Sequence, residues 1–224
     1  MTQKNGYMRY FTKQSCYPNQ AEAMEKIHSA LLNEKIVLFE GACGTGKTLS
    51  ALAPALSVGK KLNKVVIIVT NVHQQMVQFI NEAREISQGN DIKTIVFKGK
   101  TSMCPENLDY EECRLKGENT YDLLDLEREV SSKEKELKDA YEKYKRTKDP
   151  ALYALRTELE KELEETKKKS RALRSNSCPE LYEVLKFEGN EFSTWLFSDV
   201  RSPEEILEYA EDRDMCGYEL LKKE

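Results

Sequence analysis

The hydrophobic positions of the first hundred residues alternate between two periods. Met24, Ile27 and Leu31 recur at helical spacing behind Pro18 and Gln20, and residues 35–40 then form a short apolar run bounded by polar positions. This pair predicts a helix and then a buried strand. Apolar residues three and four apart cover one helix face, whereas a short unbroken run suits a strand covered on both sides. The alternation repeats, with Leu49, Leu52 and Leu56 predicting a second helix, 65–70 a second strand, 76–86 a third helix and 93–97 a third strand. The order βαβαβ predicts an α/β domain built on a parallel sheet with right-handed crossovers.

Beyond Lys100 the apolar runs stop. Residues 119–175 carry 29 charges in 57 positions and no glycine, so this segment cannot form a core by itself. Its apolar residues are still ordered. Leu123, Leu126, Val130, Leu137, Ala140 and Tyr144 keep alternating three-four spacing, broken once at Lys133, which predicts a coiled-coil seam. Asp149 and Pro150 supply an N-cap and a first-turn proline. Leu152, Leu155, Leu159, Leu163 and Leu173 then mark a second seam, which loses its apolar residues at Thr166 and Ser170. Two helices joined by such a turn are expected to fold back as an antiparallel hairpin over about 120–175. Glu134 with Lys138, Glu142 with Arg146 and Glu164 with Lys168 have the favourable i,i+4 polarity, each pair worth roughly 0.2–0.5 kcal/mol. Near the end, Ser202-Pro203-Glu204-Glu205 reads as a capping box that opens a short helix over 203–210.

Composition narrows the class. The chain has 224 residues, of which 39% are apolar and 33% charged, and its longest apolar run, 65–69, is far short of the roughly 20 residues of a membrane span. Residues 1–15 are too polar for a signal peptide, so a cytoplasmic protein is expected. A net charge of −4 gives no global field for nucleic acid, and local basic patches such as Lys98, Lys100, Arg114 and Lys116 would have to supply it. Six cysteines without an export signal point to metal, redox or buried-thiol roles.

The strongest chemical signal is Gly41-Ala42-Cys43-Gly44-Thr45-Gly46-Lys47-Thr48, which matches the phosphate-binding pattern G-x-x-x-x-G-K-[ST] and leads into a predicted helix. Glycines let backbone N–H groups converge on phosphate oxygens, Lys47 can reach the β and γ phosphates, and the Thr48 hydroxyl can hold Mg²⁺. ATP hydrolysis also needs an aspartate at a strand end and a carboxylate for the attacking water. No run of four apolar residues ending in Asp-Glu is present, and the nearest segment, Trp195-Leu196-Phe197-Ser198-Asp199, is too short.

Four further cysteines form the second signal. Cys104 and Cys113 precede the hairpin and Cys178 and Cys216 follow it, so folding it antiparallel about Lys148 would return Cys113 and Cys178 to one base. Such a set suits a 4Fe–4S cluster or a tetrahedral zinc, and thiolate softness does not separate the two. Ordinary buried cysteines are the other reading.

The order Tyr17-Pro18-Asn19-Gln20, Glu40-Gly41 through Lys47-Thr48, Lys98-Gly99-Lys100 before Cys104, and Cys216-Gly217-Tyr218-Glu219 resembles the N-terminal part of the XPD-type helicases, the iron–sulfur helicases of superfamily 2 that include the DinG proteins. The resemblance implies a RecA-like P-loop motor domain over 1–100. It also implies an inserted, mainly α-helical 4Fe–4S domain over 101–216 that bears the hairpin, and a return to the motor domain over 217–224. It implies that Gln20 recognises adenine, that the loop 41–48 holds ATP and Mg²⁺, with Lys47 and Thr48 as the catalytic pair, and that Cys104, Cys113, Cys178 and Cys216 ligate the cluster. Thr70, Asn71, His73 and Gln74 stand where the family usually has a Thr-x-Thr single-strand contact. The hairpin separates the middle cysteines, which the family spaces by two residues. The implied activity is ATP-dependent 5′ to 3′ movement on single-stranded or forked DNA, with DNA-repair proteins as possible partners. On this reading the chain is an N-terminal fragment, lacking the Asp-Glu motif and the second motor domain, and is expected not to hydrolyse ATP or unwind DNA alone. Two other readings stay open: a non-helicase P-loop ATPase with a zinc-stapled coiled-coil arm, and a nucleotide-binding interaction module without catalysis.

Overall fold

A computed structural model describes residues 6–224, so the first five residues of the predicted 1–100 domain lie outside the described residues. A 3₁₀ turn at Gly6–Tyr10 precedes α1 (Gln20–Leu32), α2 (Lys47–Leu62) and α3 (His73–Ser87). A second 3₁₀ turn, Lys100–Met103, leads to the long helices α4 (Tyr110–Thr147) and α5 (Pro150–Arg174). Four short helices follow: α6 (Pro179–Lys186), α7 (Glu191–Ser198), α8 (Pro203–Glu211) and α9 (Gly217–Leu221). The chain divides into two compact units. One comprises the described residues up to Val96 together with Ser193–Ser202, and the other Phe97–Phe192 with Pro203–Glu224. No described helix is long and apolar enough to cross a membrane.

The expected parallel sheet is not formed, and the α/β, RecA-like reading is corrected accordingly: among the described residues none lies in a strand. The three apolar runs belong to no regular element, and their exposure alternates residue by residue. Ile36 and Leu38 are fully exposed while Val37 and Phe39 are about one-third exposed, and Val65, Ile67 and Val69 are each more than 80% exposed. The runs were expected as strands covered on both sides, and their exposure corrects the expected burial as well. A strand, however, is defined by a hydrogen-bond ladder to a neighbour, and an apolar run records only an appetite for burial. No ladder joins these segments, and they connect helices.

The first unit is held by its helices. Tyr7, Tyr10, Met24, Leu49, Leu52, Ala53 and Ile86 form its main buried cluster, which joins the first 3₁₀ turn to α1, α2 and α3. Ile80, Ala83 and Val200 make a smaller one, closed by the Arg84 Nε hydrogen bond to the Val200 carbonyl at 2.9 Å. His28 packs at 5.1 Å from the Tyr7 ring and 3.2 Å from the Ser57 hydroxyl, and burial lowers its pKa, with Lys61 adding to the effect. At the end of α2, Asn63 adopts a left-handed conformation and the Lys64 N–H bonds to the Gly59 carbonyl at 2.8 Å. A Cβ on Gly59 would lie 3.0 Å from Val66 and 3.1 Å from the Lys64 carbonyl, so a larger residue here would have to push one of them aside.

In the second unit α4 and α5 form the hairpin. Its side-chain pairs run antiparallel: Tyr144 meets Tyr153 beside the turn, Lys133 meets Glu162 and Glu134 meets Lys167 along the length, and Glu127 meets Arg174 near the base. Glu134 thus reaches across to Lys167 rather than along its own helix to Lys138. Leu123, Ala140 and Leu163 are buried in the seam. The polar interruptions are satisfied locally: Lys133 bonds Glu162 at 2.7 Å, and the buried Thr166 hydroxyl donates to the Glu162 carbonyl at 2.9 Å. Helix α4 starts at Tyr110, ten residues before the predicted hairpin, because Asp109 and Glu112 close a capping box there. The turn forms as the sequence implied, with Asp149 capping the Ala151 N–H at 2.9 Å ahead of Pro150.

Candidate nucleotide site and cysteine node

Two left-handed glycines shape the loop before α2. Gly44 has φ 78° and Gly46 has φ 71°, a region costly for any side chain. A Cβ on Gly46 would stand 2.5 Å from Gln20 Nε2. That amide is buried and fully engaged, since its Oε1 accepts the Tyr17 N–H at 2.9 Å and its Nε2 donates to the Ser50 hydroxyl at 3.1 Å and the Gly46 carbonyl at 3.3 Å. Ser50 in turn donates to the Gly46 carbonyl at 2.8 Å. The resemblance gave Gln20 an adenine-recognition role; here it ties the segment before α1 to the phosphate loop.

No side chain caps α2, and its first turn contains no acidic residue. Its leading N–H groups therefore point toward the loop without a side-chain acceptor, the arrangement that favours an anion. Lys47 lies folded across the loop, its ammonium donating to the carbonyls of Gly41 at 2.6 Å and Ala42 at 2.8 Å, and Thr45 donates to the Ala42 carbonyl at 2.8 Å. Thr48 is half-buried in the first turn of α2, and Cys43 is exposed on the loop. An incoming phosphate would exchange the two carbonyls for its own oxygens as acceptors of Lys47, which adds a charge on the acceptor to the one already on the donor.

The four insert cysteines belong to the second unit and occupy the ends of its short elements. Cys104 closes the second 3₁₀ turn, Cys113 lies in the first turn of α4, Cys178 caps α6 and Cys216 precedes α9. The Cys216 N–H bonds to the Glu180 carbonyl at 3.2 Å, which joins the start of α9 to the start of α6. Thr120 joins α6 to the hairpin: fully buried, it accepts the Cys178 N–H at 2.8 Å and donates to the Lys116 carbonyl at 2.6 Å. Burial pushes the Cys178 thiol up to about 12, against the Leu181 N–H that favours the thiolate, and Glu180 and Cys216 push the same way as burial. Burial also raises Cys216, and Cys104 contributes.

Cys216 is thus the one that Cys178 and Cys104 each neighbour. The residue of α4 that bonds Cys178 is Thr120. Cys113 stands seven residues earlier, about 10 Å further along the helix at 1.5 Å per residue. It neighbours Lys100 instead, whose charge is disfavoured by burial and supported by Glu219 and Cys113, with a net rise in pKa. Among the described residues no three His, Cys, Asp or Glu side chains stand together in a group able to hold a metal ion.

The predicted basic path is largely neutralised. Lys98 pairs with Glu204, Lys100 pairs with the buried Glu219 at 3.2 Å, and Arg114 pairs with Glu118 at 2.6 Å and Glu111 at 3.1 Å. Spacing in the sequence showed the lysines and the local partners of Arg114, and could not show Glu204 and Glu219, which arrive from α8 and α9.

Residues 13–119 match the family described as type III restriction enzyme, res subunit, a little under half of the chain. The match takes in Gln20, the phosphate loop, Cys104 and Cys113, and supports a helicase-like ATP-binding segment of superfamily 2 without singling out the XPD/DinG branch. No solved structure matches the chain.

Proposed function

We propose that this chain is the ATP-binding segment of a 5′ to 3′ DNA helicase of the XPD/DinG type. The observation that carries the reading is the loop 41–48, whose left-handed Gly44 and Gly46 deliver an uncapped helix start, with Lys47 and Thr48 at its head, to an anion. The helicase-like match over 13–119 supports the class. Lys47 would hold the β and γ phosphates of ATP, Thr48 the Mg²⁺, and Gln20 would keep the loop in register through Gly46 and Ser50. Cys104, Cys113, Cys178 and Cys216 would hold a 4Fe–4S cluster, which when bound would cross-link the elements that meet at the base of the hairpin. Their donor chemistry suits it, four thiols at element ends with the Leu181 N–H on the Cys178 sulfur at 3.4 Å. Among the described residues the four thiols do not close into a ligating group, and the loop 41–48 that would bind ATP includes none of them.

The test uses anaerobically purified protein, titrated with Mg²⁺ and a fluorescent ATP analogue and analysed for iron. Lys47→Ala is expected to weaken nucleotide binding by about 10- to 150-fold, the value of one lost charged hydrogen-bond donor, and to leave the metal content unchanged. Equal affinity in the variant and the parent would refute the ATP-site reading. About four irons per chain would support the cluster, whereas a metal-free chain with intact ATP binding would remove the XPD/DinG branch and keep the nucleotide site.

A further inference from the structure

The tip of the hairpin combines features found nowhere else along it. Beyond Tyr121, every tyrosine of α4 and α5 gathers there: Tyr141 and Tyr153 are about half exposed, and Tyr144 lies 5.7 Å from Tyr153 across the turn. The Arg156 guanidinium, anchored by Glu160 at 2.8 Å, lies 5.5 Å from the Tyr141 ring and 6.0 Å from Tyr153, and the Lys148 ammonium lies 5.5 Å from Tyr144. From Tyr141 to Arg156 the chain carries Lys143, Lys145, Arg146, Lys148 and Arg156 against only Glu142 and Asp149, in a protein whose net charge is −4. Further down the hairpin Lys133, Lys167 and Arg174 are each paired with a carboxylate, and the exposed Lys161, Lys168 and Lys169 of α5 have no tyrosine beside them. Lys143, Lys145 and Arg146 are exposed, and no ion pair involves them among the described residues.

The platform is also pre-shaped. Lys148 sits in a left-handed turn with its N–H on the Tyr144 carbonyl at 2.8 Å, and Asp149 and Pro150 fix the start of α5. Little ordering is then left for binding, which favours affinity.

We propose that this tip is a binding platform for single-stranded nucleic acid, with bases stacked on Tyr141 and Tyr153 and the phosphates tracked by Lys143, Lys145, Arg146 and Lys148. Exposed aromatic faces beside free cations are what a flexible polyanion with stackable bases recognises, and recognition of this kind tolerates any sequence. An acidic protein surface would use the charges and leave the rings idle, so the rings decide between the two. The proposal does not depend on the ATP site.

The test is fluorescence anisotropy of the full chain with a labelled oligothymidine of about 16 nucleotides, over a range of salt concentrations. Reversing Lys143→Glu, Lys145→Glu and Arg146→Glu together should weaken binding and reduce the slope of log K against log salt by about 2, at roughly 0.7 per phosphate contact on a single strand. Tyr141→Ala with Tyr153→Ala should weaken binding by about 5- to 150-fold for each base that loses its platform, and Phe at both positions should restore it. Helical circular dichroism and ATP-analogue binding should be unchanged in every variant, which separates failure here from failure of the nucleotide site. Parental affinity and salt slope in both tip variants would overturn the proposal. So would an equal loss when Lys161→Glu, Lys168→Glu and Lys169→Glu are placed on the mid-section of α5, or a loss confined to the charge variant.

Discussion

Gly46→Ala tests whether the phosphate loop is built around Gln20. The substitution has two separable effects. A left-handed φ of 71° costs a residue with a Cβ about 1–2 kcal/mol. The new methyl would also lie 2.5 Å from Gln20 Nε2, too close for any real contact, so the amide must withdraw. Withdrawal gives up the bonds from Nε2 to Ser50 and Gly46 and endangers the one from the Tyr17 N–H, each worth about 0.5–1.5 kcal/mol net. Together these predict a destabilisation of the first unit of roughly 2–5 kcal/mol and a matching loss of nucleotide affinity. Urea unfolding, followed by the intrinsic fluorescence of Trp195 in the same unit, measures the first quantity, and titration with a fluorescent ATP analogue measures the second. The cycle with Gln20→Ala isolates the contact: the double variant should cost at least about 1 kcal/mol less than the two single costs added together, because the clash is gone and only the backbone strain persists. Simple additivity, or a Gly46→Ala protein as stable as the parent, would refute the idea that Gln20 is the wedge that sets this loop.

Two further predictions concern the base of the hairpin. Thr120→Val keeps the side-chain shape but leaves the Cys178 N–H without its acceptor, so the second unit should lose about 1–3 kcal/mol of stability in urea, and Thr120→Ser should recover most of it. Glu127 is opposed by burial but held below the usual carboxylate range by the Tyr182 hydroxyl, Lys186 and Arg174. A lowered folded-state pKa means that its contribution is present above the unfolded value of 4.5 and is lost as pH falls through the folded one. The melting temperature of the parent should therefore exceed that of Glu127→Gln at neutral pH and converge on it as the pH is taken from about 5 to 3. A gap that stays constant with pH would show that the ion cluster contributes nothing.

The parts of this molecule that the sequence made legible are those in which the signal and its partner lie close together along the chain. The turn at Asp149 and Pro150 is capped by its own next residues, and the seam from Leu123 to Tyr144 meets helix α5 after a two-residue link, so a local pattern predicted a long-range contact. The phosphate loop was legible for the same reason, since glycines, lysine and helix start are consecutive. The strands failed because a ladder is a relation between distant segments. Residues 65–69 carry the same unbroken apolar run whether a neighbour bonds to them or, as here, none does.

The same distinction explains the cysteines and the basic path. Arms of 35 and 30 residues about Lys148 pointed Cys113 and Cys178 toward one base, and the contact that forms there joins Cys178 to Thr120, seven residues beyond Cys113. Lys98, Lys100 and Arg114 looked like a track for phosphate until Glu204, Glu219 and Glu118 were set beside them, two of these carboxylates lying more than a hundred residues further on. A basic residue read from sequence is a candidate contact only while no carboxylate of the fold claims it. By that criterion Lys98, Lys100 and Arg114 drop out, and among the cations that no carboxylate claims Lys143, Lys145 and Arg146 are the ones with exposed tyrosines beside them. The strongest expectation of nucleic-acid contact in this chain therefore lies at the far end of the hairpin rather than at its base.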